Sequence, residues 1–172
     1  NSLTHLTFGN CFNQPIMFSD NLTHLTFGRN FDQPITLPNS LTHLTFGQNF
    51  NQPINLPNNL THLIFGYWFN RPISLPTNLK HLVFGSRFNQ IVDLVDKNTD
   101  KILKNLEFVD FGINYNNKIL IGSVENKFKK IKLKINYIKF NKIFPNIEQH
   151  NYDNFIIIDA FTNKEMDLIY IK

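Results

Sequence analysis

The heptapeptide L-T-H-L-T-F-G occupies residues 3–9, 22–28 and 41–47, and its first leucine recurs as Leu3, Leu22, Leu41, Leu60 and Leu79, nineteen residues apart each time. A fixed period near 20 residues restricts the chain to a stack of small identical units, because one unit is too short to bury its own apolar face and must lend it to the next. The columns that recur define what each unit contributes. A second leucine stands at Leu6, Leu25, Leu44, Leu63 and Leu82, a first phenylalanine at Phe8, Phe27, Phe46, Phe65 and Phe84, and a second at Phe12, Phe31, Phe50, Phe69 and Phe88.

The spacing L-x-x-L-x-F fits a short strand whose leucine and phenylalanine point inward while the residues between them face water. Stacked strands lie roughly 4.8 Å apart, so the apolar columns become continuous spines. Each fully buried side chain in them contributes about 1.5–3 kcal/mol. Glycine follows the strand at positions 9, 28, 47, 66, 85 and 112, and reads as a corner that needs a backbone angle other residues resist. Proline at 15, 34, 53 and 72, and again at 38, 57 and 76, marks the return path as loop or sheet edge, since it cannot donate a ladder hydrogen bond. The asparagines behind the second phenylalanine (Asn13, Asn51, Asn70 and Asn89, with Asp32 in the series) read as an inner polar ladder satisfying turn backbone.

The fold expected is a mainly β solenoid, an array of 19-residue repeats with parallel strands. Five regular repeats span 1–95, an insertion 96–105, degenerate repeats 106–144 and a β-rich cap with a hairpin 145–172. From Leu79 to Leu106 the step is 27 residues, one repeat plus eight, after which Val109, Phe111, Gly112 and Tyr115 fall in register. A seventh unit is placed with Phe128, Ile131, Leu133 and Tyr137 in the leucine and phenylalanine columns. The chain opens on Asn1, directly in the first repeat, which reads as a fragment of a longer protein.

Hydrophobic residues are 42 % of the chain and charged ones 17 %, a balance that folds. No apolar run approaches the roughly 18–20 residues of a membrane-spanning helix, so no membrane role is expected. The single cysteine, Cys11, cannot close an internal disulfide and favours a reducing compartment.

The segments F-N-Q-P-I at 12–16 and 50–54, with variants F-D-Q-P-I, F-N-R-P-I and F-N-Q-I-V, together with L-P-N-S-L-T-H-L-T-F-G at 37–47, resemble the signature of FNIP repeat proteins. That family is leucine-rich-repeat-like and belongs to social amoebae and giant viruses. The resemblance implies protein recognition in the cytoplasm of an amoeba or its infected host cell. Some members carry an upstream F-box, which implies a substrate-recognition part of a larger F-box-type protein, with ubiquitin-ligase components as partners of the intact protein.

For this chain the function expected is a non-catalytic protein-protein interaction scaffold with an unknown protein partner. A concave strand face would present two outward columns: His5, His24, His43, His62 and His81, and Thr7, Thr26, Thr45, Ile64 and Val83. The simpler role for the histidines is structural, a ladder of stacked neutral rings covering the sheet. Charged imidazoles about 5 Å apart repel, so their folded pKa values should fall below about 6.5 and titrate together. A linear column supplies no tetrahedral ligand set, so no metal and no cofactor is expected. Nor does any nucleophile stand in a distinctive setting, and carboxylates are sparse in the array, which argues against an enzyme. The alternative is a nucleic-acid or anionic-surface binder through a lysine-rich stripe at 127–142, comprising Lys127, Lys129, Lys130, Lys132, Lys134, Lys139 and Lys142. Of the two partners, nucleic acid is the less expected, because lysines also protect a terminal sheet edge.

Overall fold

A computed structural model describes residues 2–98, 101–117, 119–120, 131–135, 155–159 and 165–166. Each regular repeat contributes one three-residue strand: β1 His5–Thr7, β2 His24–Thr26, β3 His43–Thr45, β4 His62–Ile64 and β5 His81–Val83. The chain continues with β6 Val92–Asp93, β7 Val95–Asp96, β8 Lys101–Ile102, β9 Phe108–Asp110, β10 Ile119–Leu120, β11 Ile131–Ile135, β12 Phe155–Asp159 and β13 Glu165–Met166. Among the described residues, nine strands form one sheet in the order β1-β2-β3-β4-β5-β9-β11-β12-β13. Every pairing in it is parallel except that of β12 with β13. The molecule is a parallel-strand solenoid.

Register follows the sequence period without slippage: His5 pairs with His24, His24 with His43, His43 with His62 and His62 with His81, with the leucines and the following residues in step. The strands are shorter than L-x-x-L-x-F suggests. Only the central leucine points inward from within the strand, and the first leucine and the phenylalanine lie just outside it, where they are nevertheless buried from the second repeat on. The two phenylalanines of a repeat stack face to face, Phe46 on Phe50 and Phe65 on Phe69 each at 3.7 Å between ring centroids. Along the array each stacks on its counterpart, Phe27 to Phe46 at 5.6 Å and Phe31 to Phe50 at 6.1 Å. The aromatic core is therefore a double column of parallel rings, face to face within a repeat and offset from one repeat to the next, the second being the arrangement aromatic pairs prefer. In the sixth repeat Tyr115 takes the second column, stacked on Phe88 at 6.0 Å, and its hydroxyl donates to the carbonyl of Gln90 at 3.1 Å. Burial pushes that phenol above its ordinary range.

The glycines have a different reason from the one their position suggests. Among the described glycines, Gly112 alone has a positive φ, 71°. At the others, what matters is how closely one repeat approaches the next. A Cβ on Gly28, Gly47, Gly66 or Gly85 would lie 1.9–2.3 Å from the carbonyl oxygen of the preceding repeat's glycine, while at Gly9 it would meet nothing within 4 Å. The absent side chain lets two backbones pass in contact; it does not release a strained angle.

Outside the strands, the return path turns back through the prolines. The carbonyls of Pro38, Pro57 and Pro76 accept hydrogen bonds from the N–H of Leu41, Leu60 and Leu79 at 3.1–3.2 Å, closing a tight turn before β3, β4 and β5. In the insertion, β7 and β8 pair as an antiparallel hairpin, flanked by buried Leu94 and Leu103. A second small ladder joins β6 to β10 in parallel, placing Ile119 beside Val92.

Leu133 of β11 pairs with Val109 and stands in the second-leucine column, where the sequence period pointed to Ile131. The offset is two residues. Because side chains alternate with period two, a shift of two leaves the same residues inward and is invisible to a hydrophobic pattern.

Candidate partner-binding face

Since each strand's leucine is directed into the core, the residues on either side of it must face outward, and the period turns them into two columns. In the first, the five histidine rings stack nearly parallel. Centroid separations are 4.0 Å from His5 to His24, 4.2 Å from His24 to His43, 4.2 Å from His43 to His62 and 4.7 Å from His62 to His81, with interplanar angles of 8–11°. The stack ends against Phe108, whose ring is tilted 40° and 6.3 Å away.

A threonine precedes the histidine in each of the first four repeats, and its hydroxyl holds the ring by Nδ1. The hydroxyl oxygens of Thr23, Thr42 and Thr61 lie 3.0–3.1 Å from the carbonyls of Thr4, Thr23 and Thr42. The same oxygens lie 2.8–2.9 Å from Nδ1 of His24, His43 and His62. Each of these carbonyls also accepts the backbone N–H groups of the threonine and the histidine of the next repeat, so the one hydroxyl proton serves either the carbonyl or the ring, and Nδ1 is hydrogen-bonded to the threonine in either tautomer. Nδ1 is thereby engaged in these repeats, and Nε2 is the ring nitrogen left for a partner. Among the described residues, no group hydrogen-bonds to Nε2 of His24, His43 or His62.

In the fifth repeat Lys80 replaces the threonine, and the pattern changes character. Glu107 lies 3.4 Å from His81 Nε2 and 4.0 Å from Lys80 Nζ. The imidazole column thus closes on a charged end. The second outward column runs Thr7, Thr26, Thr45, Ile64, Val83 and then Asp110. Ile64 is 42 % exposed.

Burial lowers the pKa of His24, His43 and His62, and their neighbouring imidazoles lower it further; at His62 the Lys80 ammonium acts in the same direction and Glu107 opposes it. Mutual repulsion, the cause foreseen from the spacing, is thus the second influence and not the first. The sheet shields one side of each ring and its stacked neighbours shield the faces.

Of the lysine stripe, Lys132 and Lys134 are described. They pair with Phe108 and Asp110, so they continue the histidine and threonine columns on the same face. Lys134 Nζ forms an ion pair with Asp110 at 3.2 Å. Lys127, Lys129, Lys130, Lys139 and Lys142 lie outside the described residues.

The asparagine series does form a ladder, and it links repeats. Side-chain oxygens of Asn13, Asp32, Asn51, Asn70 and Asn89 accept from the backbone N–H of Asp32, Asn51, Asn70, Asn89 and Asn116 at 2.8–2.9 Å. It is half-buried to exposed and not internal, because the chain has by then left the core for the return path.

Among the described residues, no group of three or more His, Cys, Asp or Glu side chains could hold a metal ion. A cleft of about 800 Å³ on the return-loop side is walled by Pro15, Ile16, Pro34, Ile35 and Pro38, with Asp20 its one titratable group. It offers no pair of groups for acid-base work.

One feature escaped the reading of columns. Tyr67 and Trp68 stand at the turn after β4, ring to ring at 5.0 Å and nearly perpendicular, and the Arg87 guanidinium lies 5.0 Å from the Trp68 ring centre. The signal was present as two aromatic residues in columns that are polar or small in every other regular repeat.

Compared with known proteins, the profile of the FNIP Repeat family matches residues 12–49, 35–68, 50–75 and 69–94. No curated protein sequence matches the chain significantly. Among solved structures, CroV588, described as a novel circular LRR protein, is similar at 36 % identity with a TM-score of 0.66, over 92 % of this chain. The match spans 27 % of that chain's length. Stacked Leu and Phe columns, the F-N-Q-P-I return path and the parallel register all agree with these matches, and the chain is an FNIP-repeat-containing protein of leucine-rich-repeat-like build.

Proposed function

We propose that the chain is a non-catalytic protein-protein interaction scaffold whose strand face, His5, His24, His43, His62 and His81 beside Thr7, Thr26, Thr45, Ile64 and Val83, receives the partner. The observation that carries this is the row of imidazole rings whose Nδ1 atoms are engaged by threonine hydroxyls and whose Nε2 atoms in His24, His43 and His62 are hydrogen-bonded to nothing in the described residues. Such a row is a set of evenly spaced hydrogen-bonding groups matched to polar groups on a partner surface, and a rigid repeated face loses little entropy when it binds. By analogy with F-box-containing relatives, the partner of the intact protein is a substrate delivered to ubiquitin-ligase components.

Quantitative affinity capture, comparing the chain with a variant carrying His24→Gln, His43→Gln and His62→Gln with Thr7→Ala, Thr26→Ala and Thr45→Ala, tests the face. Urea unfolding of both confirms that the variant is folded. Partners retained equally by both would end the proposal. The lysines supply the second reading, a polyanion site continuing the same face through Lys132. Binding of a short single-stranded oligonucleotide that falls steeply with salt would favour it; no binding at low salt would remove it.

A further inference from the structure

The repeats act as controls on one another. At the first turn position after the glycine, regular repeats carry Asn10, Arg29, Gln48, Tyr67 and Ser86; at the next, Cys11, Asn30, Asn49, Trp68 and Arg87. The same turn therefore closes with polar or small residues in both places, so the fold does not require aromatic rings there. Nor does the core use them: Tyr67 is 36 % and Trp68 47 % exposed, and Ile64 in the same repeat is 42 % exposed. The aromatic pair interrupts a polar ladder in which Asn49 donates to Asn30 at 3.4 Å.

Arg87 is held in place from the next repeat. Its Nε donates to the Tyr67 hydroxyl at 3.2 Å, and its guanidinium lies 5.6 Å from the Tyr67 ring centre and 5.0 Å from that of Trp68. Among the described residues, no carboxylate pairs with it and no acceptor meets the Trp68 indole N–H. The guanidinium is thus pre-ordered by cation-π contact with its outer N–H groups unspent, beside exposed apolar surface. Trp, Tyr and Arg are the residue types that dominate binding hot spots.

We propose that Tyr67, Trp68 and Arg87 form the anchor point of the interaction surface, and that its ligand is a peptide segment bearing a carboxylate next to a large apolar side chain. The carboxylate takes the fork of Arg87 in a bidentate pair. The apolar side chain packs on Trp68. This rests on the scaffold reading above and adds to it the ligand's chemistry and the repeat that holds it.

The chain has one tryptophan, Trp68, so its fluorescence reports occupancy directly. The probe is a random short-peptide library displayed on phage and selected on the whole chain, followed by fluorescence titration of the enriched peptides synthesised singly. The proposal expects peptides enriched in an acidic residue beside an aromatic or long aliphatic one, a blue shift of Trp68 on binding, and a loss of about tenfold or more in affinity for Arg87→Gln. Trp68→Gln, which restores a polar turn, should lose affinity as much by competition assay while unfolding in urea with the parent. Enriched peptides indifferent to both substitutions but lost on His43→Gln with His62→Gln would overturn the anchor and leave the strand-face scaffold standing. Peptides indifferent to all four substitutions would count against both, and so would a failure to enrich any peptide.

Discussion

At the residue scale, the repeat glycines separate two causes that a sequence merges. Gly66→Ala would bring a methyl group 1.9 Å from the Gly47 carbonyl oxygen, so the repeats must move apart; Gly9→Ala meets nothing within 4 Å. We expect the first to cost about 1–3 kcal/mol or more in urea unfolding and the second to stay within about 0.5 kcal/mol. Equal costs would show that a backbone angle, and not contact between repeats, is what glycine supplies. The histidines carry the pH dependence. With folded pKa values of His24, His43 and His62 below about 6.5, the unfolded chain binds more protons than the folded one as pH falls. Their contribution is therefore complete above about pH 6.5 and is lost as pH descends through that value towards the folded pKa values. Urea midpoints measured between about pH 8 and 5 should decline, and His24→Gln with His43→Gln and His62→Gln should flatten the decline.

Between neighbouring elements, the asparagine ladder couples each return path to the next. Its acceptors are all side-chain oxygens, and the natural series includes Asp32, which accepts from the backbone N–H of Asn51 at 2.9 Å and from the Gln52 amide at 3.0 Å. The chemistry thus requires an acceptor and not an amide. Asn51→Ala, which strands the N–H of Asn70, should cost about 1 kcal/mol, while Asn51→Asp should be nearly neutral. Equal costs for the two substitutions in chemical denaturation would reject a ladder that depends on the side-chain acceptor.

Across the whole molecule, stability is a sum of units and their interfaces, and the first unit is the least covered: Leu3 is 51 % exposed while Leu22, Leu41, Leu60 and Leu79 are at most 1 %. Leu41→Ala should therefore cost about 2–5 kcal/mol, and Leu3→Ala under about 1 kcal/mol. Amide exchange followed by mass spectrometry should find β1 the least protected of the five regular strands; uniform protection would mean that the array opens only as one cooperative body. What the sequence by itself determined is what a period can carry: the inward Leu and Phe columns, the outward histidines, the parallel register of β1 to β5 and the eight-residue insertion. Each of these depends only on spacing along the chain. The tertiary structure decided what depends on distances between repeats: that glycine permits backbone contact, that Thr23, Thr42 and Thr61 orient the imidazoles, that Leu133 takes the column in place of Ile131, and that Arg87 reaches back over Trp68. The partners are far apart in the chain, Gly66 from Gly47, Thr23 from the Thr4 carbonyl, Leu133 from Val109 and Arg87 from Trp68, and only stacking brings them together.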